Sequence, residues 1–405
     1  MILFDMTMKK IYVVITTFLC ISCIEKSLLP VIQDISINNI ECKAINTADA
    51  AMKEFYNQTK SSIRYNEEIQ IIPFIKNNGD TLGVAVDYGT DNGFVYLSPD
   101  CNTVLAISDN SDFEKAIEIP AFNNMINNIS LINQFPIKDP TLTPITYVVR
   151  DTSITTVSPM VQVEWHQHAP FNLYALNEID KLAGCTPIAI AQVMSYYRYP
   201  EYLPLTFQGA STSNLYLDWD EMIENEYYHG ENCAECIQKA NLLRQIAEIC
   251  HANYNPSSTG AWPRVEYLNR LGYTGTEYDD FAIYPITSSL ENSNPCIICG
   301  FDSDSGHTWV IDGYKRIIYT EVTYELHGMG DVETDRVEYR DVYLHFNMGW
   351  GDANLTTFCL ADRYVSAQGT HIYGGAIEDH SVTIFSDPQY TDVRLLVTGV
   401  KPINQ

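Results

Sequence analysis

Hydrophobic and polar positions alternate over short distances in the first part of the chain, from about Ile24 to Ile154. Period-two patterning bounded by turn residues predicts four short strands, over residues 70–74, 81–86, 93–98 and 103–108. Helical periodicity precedes them at 48–56 and follows them at 113–129, where Pro120 interrupts the helix. This part of the sequence therefore predicts a small α+β domain with an antiparallel sheet.

The pattern changes to longer apolar blocks from about Val157. Three helices are predicted first, over residues 182–197, 234–250 and 264–271. Strands are predicted from Ala282 onward, and the clearest cover residues 308–312, 342–347 and 395–400. The charged stretch 315–341 predicts an extended hairpin, and prolines within 135–160 indicate a linker ahead of this second domain. Helices followed by strands favour the α+β class, with a helical lobe packed on an antiparallel sheet or barrel.

The net charge of the chain limits the classes of molecule that can be its main binding partner. The 405 residues include 51 Asp and Glu against 24 Lys and Arg, which gives a formal net charge of -27. A surface this acidic repels phosphate backbones and anionic lipid, so nucleic acid and the membrane surface are excluded as main partners. The balance is typical of an exported or cell-surface protein.

The N-terminus has the pattern of a targeting segment. Lys9 and Lys10 precede a short apolar run from Ile11 to Cys20, which predicts a signal peptide over residues 1–23. Cys23 is a candidate for lipidation and would be the chain's one attachment to a membrane. The Leu typical of a lipidation motif is replaced by Cys20, so a plain cleaved signal is the alternative.

Cysteine spacing suggests a metal site that the predicted elements then disfavour. Of the 11 cysteines, two lie in the signal segment, and two Cys-x-x-Cys pairs invite a zinc interpretation, at 233–236 and 296–299. The second pair lies in an apolar run that predicts a buried strand. Positions three apart in a strand face opposite sides and do not converge on one ion. Zinc is therefore disfavoured, and nothing else in the sequence implies a metal or an organic cofactor.

The sequence Gly184-Cys185-Thr186-Pro187 opens an apolar run that predicts a buried helix. Cys185 then lies at the N-terminus of that helix. Unpaired amides and the helix dipole stabilise a thiolate there, which makes Cys185 a candidate nucleophile. The alternative is an inert buried cysteine.

A base and an orienting group follow in the strand-rich half. His307 comes after a polar loop at 302–306 and opens a predicted strand. The loop lacks the third ligand and the terminal Glu of a calcium loop, so calcium is rejected. Asn347 ends a later strand, and its side-chain oxygen is a candidate to accept a hydrogen bond from the imidazole and fix the ring. The order Cys, His, Asn is that of papain-like peptidases.

Four segments then resemble the streptopain family of secreted bacterial cysteine peptidases. They are WHQHAPFN at 165–172, GCTPIAIAQVMSYYRYP at 184–200, GHTWVIDGY at 306–314 and HFNMGWG at 345–351. In the first domain, GFVYLSPD at 93–100 resembles the family's propeptide. The resemblance thus extends over most of the chain after the signal segment.

The resemblance implies a catalytic role for four residues. Cys185 is the expected nucleophile and His307 its base and acid. Gln167 is expected to stabilise the oxyanion together with the backbone N–H of Cys185, and Asn347 to orient His307. Gln167 is identified through the family alone, because a Gln between two histidines is otherwise typical of a surface.

Two further residues are expected to bind the substrate, Trp350 and Gly306. The sequence departs from the family beside the orienting Asn, where Met348 replaces a Trp, and at Asp352, which replaces a Gly. These departures leave the expected catalytic residues in place and bear on efficiency and substrate range.

The resemblance also implies the fold and the domain organisation. A signal peptide at 1–23 would precede a small α+β propeptide domain at 24–155, which inhibits the enzyme. A papain-like two-lobed peptidase domain, with a helical lobe and an antiparallel sheet lobe, would cover 156–405. The expected protein is a secreted zymogen cysteine endopeptidase that acts on protein or peptide substrates after its propeptide is removed.

Two other hypotheses remain open at this point. A lipid-anchored surface protein could keep this fold as a binding module and never lose its first domain. A thiol transferase on the same scaffold would acylate an amine instead of water.

Overall fold

The computed structural model describes most of the chain in separate stretches. They are residues 29–56, 69–75, 81–89, 92–119, 122–123, 125–126, 146–175, 182–207, 210, 213–225, 233–252, 262–301, 306–327, 330–349, 356–367, 370–372, 382–383 and 395–404. The predicted signal peptide at 1–23 lies outside these residues.

The described part contains both helices and strands. The helices are α1 (Leu29–Tyr56), α2 (Phe113–Glu118), α3 (Cys185–Tyr197), α4 (Trp219–Glu224), α5 (Ala234–Ile249), α6 (Val265–Arg270) and α7 (Ile283–Glu291). The strands are β1 (Gln70–Ile75), β2 (Thr81–Asp87), β3 (Phe94–Leu97), β4 (Val104–Ser108), β5 (Thr146–Val157), β6 (Tyr202–Pro204), β7 (Asn214–Tyr216), β8 (Tyr273–Tyr278), β9 (Cys296–Phe301), β10 (Gly306–His327), β11 (Gly330–Asn347), β12 (Thr356–Ala367), β13 (Thr370–Ile372), β14 (Val382–Thr383) and β15 (Leu395–Pro402).

One large antiparallel sheet organises the molecule. Within the described stretches this sheet has 13 strands, in the order β1-β2-β3-β4-β12-β11-β10-β9-β15-β8, with β13 and β14 paired to β12 and β5 paired to β10. Strands β6 and β7 form a separate ribbon. The protein is thus a mixed α/β fold with a large antiparallel sheet and several helices.

The first part of the chain follows its hydrophobic pattern closely. Strands β1 to β4 lie where alternation predicts them, and each pairs with the next. Helix α1 is longer than the predicted 48–56. Helix α2 ends at Glu118, close before Pro120, and its N-terminus is capped by Asp112, whose side chain accepts from the N–H of Lys115 at 2.8 Å.

The charged stretch 315–341 forms the predicted hairpin. Strands β10 and β11 pair from Val310 and Asn347 at one end to His327 and Gly330 at the other. Strand β5 pairs along the other side of β10, from Thr146 to Val157. Much of the predicted linker at 135–160 is therefore a strand of the main sheet.

The expectation of strands from Ala282 onward is wrong at its start, because Ile283–Glu291 is helix α7. Apolar residues at Ile283, Ile286 and Leu290 recur at helical spacing, and Ile286 and Leu290 are buried. Because the apolar strand β9 follows closely, the sequence does not show clearly where helical spacing ends and strand spacing begins.

The middle of the sheet separates two hydrophobic cores. Along β9, Ile297 faces the core that contains α3 and α5, whereas Cys296 and Ile298 face the core that contains α1 and α2. Strands covered on both faces are expected to be continuously apolar, as this one is. Helix α3, which begins at Cys185, is thereby held against the sheet.

Candidate active site

Cys185 is the first residue of α3, and its position depends on the glycine before it. Gly184 adopts a φ of 94°, a conformation that favours glycine, and no side chain caps the first turn. The thiol therefore lies at the positive end of the helix dipole. Cys185 is half-buried, so a substrate can reach it while water is partly excluded.

His307 is the second residue of β10 and faces the thiol from the sheet. Its imidazole is buried, and its interaction with Cys185 favours the thiolate. The Nε2 atom lies 2.8 Å from the carbonyl oxygen of Met348. Because a carbonyl oxygen only accepts, Nε2 carries the proton, which leaves the lone pair of Nδ1 to accept the proton of the thiol.

The pKa of the Cys185 thiol lies below its usual value. Burial pushes this pKa upward, but the hydrogen bond and charge of His307, with hydrogen bonds from Thr308, outweigh burial. Burial raises the pKa of Cys250 and of Cys296 to about 12. Among these thiols, Cys185 has the surroundings of a nucleophile.

A chain of hydroxyl groups ties the nucleophile helix to the sheet. Thr186 and Thr308 bring their Oγ1 atoms to 2.7 Å, and Thr308 Oγ1 donates to Cys299 Sγ at 3.1 Å. Either hydroxyl can be the donor in the contact between Thr186 and Thr308. Helix α3, β9 and β10 are fixed to one another directly beside Cys185.

Asn347 ends β11, but the predicted hydrogen bond between its side chain and His307 is not formed. Asn347 Nδ2 donates to the carbonyl oxygen of Val163 at 2.7 Å, and Oδ1 accepts from Gln192 Nε2 at 2.8 Å. The carbonyl of Met348 holds the imidazole instead. The sequence does not show where the backbone turns after β11, and the role of Asn347 in orienting His307 stays a prediction.

A glycine controls that turn. Gly349 adopts a φ of 58°, and a Cβ atom there would come within 2.7 Å of Ile188 Cγ2. Gly349 therefore lets the chain pass close to α3, immediately after Met348 presents its carbonyl to His307.

Gln167 lies in the segment that runs beside the nucleophile. Its carbonyl oxygen accepts from the N–H of Ala183 at 2.9 Å, two residues before Cys185, and its side chain is buried. The structure thus brings Gln167 close to Cys185 in the chain packing, and its oxyanion role stays a prediction. Gly306 is exposed and precedes His307, while Trp350 lies outside the described residues.

Sequence reasoning missed the amide of Gln192 and the carbonyl of Met348. Gln192 is a polar residue within an apolar helix, and such a residue needs hydrogen bonds when buried. That signal was available in the sequence. The role of a backbone carbonyl leaves no signal, because every residue has one.

The Cys-x-x-Cys pair at 233–236 forms a disulfide at the start of α5. Together with Glu235 these residues are the one cluster with metal-ligand spacing in the described part of the chain. Sulfur atoms in a disulfide offer no thiolate for zinc.

Comparison with known proteins agrees with this geometry. The family model of the Peptidase C10 family matches residues 165–354, which include Cys185, His307 and Asn347. A curated relative, the thiol protease/hemagglutinin PrtT of Porphyromonas gingivalis, is 23% identical over 254 residues. The match covers 55% of this chain and 26% of the relative, so the chain aligns with about a quarter of that protein.

Over residues 165–354 the chain is therefore similar to the cysteine-type peptidases of the Peptidase C10 family, and Cys185 and His307 both lie in that segment. The family resemblance seen in the sequence is confirmed over the matched segment.

Proposed function

We propose that this protein is an exported cysteine endopeptidase that hydrolyses peptide bonds in protein or peptide substrates through a thioester on Cys185. The observation that carries the proposal is the Cys185–His307 pair. Its thiol has a lowered pKa, and its imidazole is tethered through Nε2 to the Met348 carbonyl. A nucleophile, a base and a group that orients the base are the parts that acyl transfer requires.

The reaction follows from the protonation states. His307 Nδ1 takes the proton of Cys185, and the thiolate attacks the carbonyl carbon of the peptide bond. The backbone N–H of Cys185 and the side chain of Gln167 are the proposed donors to the oxyanion. The imidazolium then protonates the leaving amine, the thioester forms, and a water deprotonated by His307 releases the carboxylate and the thiol.

The layered core supports a papain-like two-lobed arrangement for the peptidase. The core around α3 and α5 would form the helical lobe, and strands β8 to β12 with β15 the sheet lobe. The thiol at the start of α3 and the imidazole on β10 would then face each other across the junction of the lobes.

The first domain is proposed to be an inhibitory propeptide. Strand β4 extends the main sheet by pairing with β12, and Ser108 Oγ donates to the carbonyl oxygen of Thr356 at 2.9 Å. Asn110 Nδ2 donates to Glu164 Oε1 at 2.6 Å, just ahead of the segment that leads to Gln167. A domain attached there would lie beside the approach to the nucleophile, as an inhibitory propeptide should.

Strand β5 bears on where the propeptide would be removed. A protease cleft takes its substrate as a free extended segment, but Thr146–Val157 is paired with β10 along its full length. We therefore place the processing bond before Thr146 and not at the expected boundary between 155 and 156. Residues 146–157 would stay with the mature enzyme.

Export is supported by the residues themselves. The signal-like N-terminus and the candidate lipidation site at Cys23 suit an exported or lipid-anchored protein. The Cys233–Cys236 disulfide suits an oxidising compartment. Among the helices that the structure describes, none combines the length and the apolar character of a membrane span.

One observation favours the second candidate, a binding module that keeps its first domain. Phe55 of α1 packs its ring 5.1 Å from that of Tyr343 and 5.4 Å from that of Phe358, so the first domain shares a core with the main sheet. Undocking would expose these rings to water.

Incubation of the purified full chain under reducing conditions tests the proposal. We expect the wild type to lose its first domain and cleave casein, and the Cys185→Ala variant to stay at full length. Mass spectrometry then locates the new N-terminus, which we expect before Thr146. A wild-type chain that stays intact and leaves casein uncut would favour the binding module.

A further inference from the structure

The nucleophile helix contains a buried amide that catalysis as described does not use. Gln192 is 0% exposed, and its Nε2 atom donates to Asn347 Oδ1 at 2.8 Å and to the carbonyl oxygen of Trp165 at 3.1 Å. Burying an amide is unfavourable unless its hydrogen bonds are made. An alanine or leucine at this position of an apolar helix would avoid that cost.

The direction of each hydrogen bond in this network is determined. The carbonyl of Val163 can only accept, so Asn347 must turn Nδ2 toward it and Oδ1 toward Gln192. Gln192 must then present Nε2, and the Trp165 carbonyl takes the second hydrogen of that group. Reversing either amide would place two acceptors face to face.

The network joins three parts of the proposed active site. Gln192 lies on α3, which begins with Cys185. Trp165 precedes Gln167 by two residues, and Asn347 precedes the residue whose carbonyl holds His307. One side chain thus links the nucleophile helix, the oxyanion segment and the turn that orients the base.

We propose that Gln192 is a positioning residue, which sets the distance and angle between Cys185 and His307 by locking Asn347, and through it the Met348 carbonyl. The proposal rests on the cysteine peptidase function proposed above. Gln192 does not touch the substrate, because its side chain is fully buried.

Loss of the amide has a defined consequence. Asn347 Oδ1 and the Trp165 carbonyl lose their donor, and the turn at 347–349 can shift relative to α3. A misplacement of about 1 Å near the reacting atoms lowers a rate by about 100-fold. We expect Gln192→Leu to lower kcat by about 10- to 100-fold with KM within about twofold of wild type.

Gln245 provides the matched control. It is also buried, on α5, and makes two hydrogen bonds: Nε2 donates to Thr206 Oγ1 at 2.8 Å, and Oε1 accepts from the N–H of Thr206 at 2.7 Å. Gln245→Leu removes the same groups at a place that contacts none of the proposed catalytic residues. It should lower the thermal midpoint comparably and leave kcat of the folded enzyme unchanged.

A second variant keeps the test decisive if Gln192→Leu folds poorly. In Gln192→Glu an ionised carboxylate would face two acceptors, whereas a protonated carboxyl donates one hydrogen to Asn347 Oδ1. Burial raises the pKa of such a carboxyl. The kcat of Gln192→Glu relative to wild type should therefore rise as pH falls, and a structural role alone would produce no such recovery.

Alkylation of Cys185 tests the positioning role of Gln192 independently of the proposed peptidase function. The rate at which iodoacetamide modifies Cys185 reports its thiolate, with no peptide substrate involved. Gln192→Leu should move the pH at which the alkylation rate of Cys185 rises to a higher value. Gln245→Leu should leave that pH unchanged. If the profile shifts but wild type cleaves no peptide, the peptidase proposal fails and the positioning role stands.

The inference is overturned if Gln192→Leu and Gln245→Leu have kcat values within twofold of each other and identical alkylation profiles. It is likewise overturned if Gln192→Glu shows no relative gain in kcat at acid pH.

Discussion

At the scale of single residues, the reactivity of each thiol depends on the side chains next to it more than on how deeply it is buried. Cys185 has an imidazole and a threonine beside it that favour the thiolate, and its pKa falls. Burial alone acts on Cys250 and raises its pKa to about 12. Burial raises the pKa of Cys299 and of Cys359 further, although Thr308 donates a hydrogen bond to Cys299 and Cys359 donates one to Thr357.

This contrast predicts selective labelling. At about pH 6.5, iodoacetamide should modify Cys185 before any other described free cysteine of the native protein, because its lowered pKa leaves more thiolate at that pH. The labelling rate should fall only when the pH drops below that lowered pKa. Peptide mapping by mass spectrometry measures the order of labelling.

His307→Ala is the control for this labelling. Without the imidazole, labelling of Cys185 should need a higher pH, closer to that at which an ordinary thiol reacts. Equal labelling of several cysteines in the native protein, or an unchanged profile in His307→Ala, would contradict the assignment of Cys185 as nucleophile.

Met348 departs from the family by its side chain, but its contact with His307 is through the backbone. Every residue type at this position supplies a carbonyl. The side chain itself is buried in the core on the α1 side of the sheet, where an unbranched thioether fills space. The group that orients His307 is thus independent of this substitution.

At the scale of elements, the long hairpin is fastened to its neighbour by a buried ion pair. Arg363 of β12 donates from Nε and Nη2 to the two carboxylate oxygens of Asp341 on β11, at 2.8 and 2.7 Å. Both side chains are largely buried, and the pair raises the pKa of Arg363. A contact through two parallel hydrogen bonds fixes the register of the two strands and also pairs two opposite charges.

We expect Arg363→Ala to lower the free energy of unfolding by about 3–5 kcal/mol, because it leaves a buried carboxylate without its partner. Chemical denaturation monitored by circular dichroism measures the change. The control is Arg336→Ala, which removes a similar two-pronged contact to Glu333 at the exposed end of the hairpin. The control should leave the denaturation midpoint unchanged, and equal losses in both variants would contradict the role of burial.

At the scale of the whole molecule, the first domain and the main sheet share one core. Phe55 contacts the rings of Tyr343 and Phe358, and its ring also lies 4.4 Å from Lys315 Nζ. Lys315 Nζ donates to the carbonyl oxygen of Glu54 at 2.7 Å. The end of α1 is therefore anchored on the face of the sheet formed by β10 to β12.

If the first domain is removed as proposed, Phe55→Ala should accelerate its loss. Each aromatic pair contributes about 0.5–1.5 kcal/mol, so loss of two pairs favours undocking by on the order of tenfold. Gel analysis of processing over time measures the rate. Tyr284→Ala, which truncates an exposed ring on α7, should process like wild type. A Phe55→Ala precursor that matures at the wild-type rate would show that undocking does not limit processing.

Much of the fold could be predicted from the sequence because it depends on neighbours along the chain. Alternation is sufficient to locate β2, β3 and β4, and the Gly-Cys-Thr-Pro pattern locates the start of α3 at Cys185. The hairpin at 315–341 also follows from local pattern. These elements obey the period of a single helix or strand, which a short window of sequence contains.

The rest of the fold and of the candidate site depends on contacts between segments that are far apart in the sequence. Strand β5 was predicted as linker because its partner, β10, lies far along the chain. Gln192 and Asn347 are 155 residues apart, and their hydrogen bond exists only because α3 packs on the end of β11. The sequence by itself determined which residues can act as nucleophile and base. Tertiary structure decided that a backbone carbonyl holds the base, since the direction of a carbonyl depends on how the chain turns at Gly349 against α3.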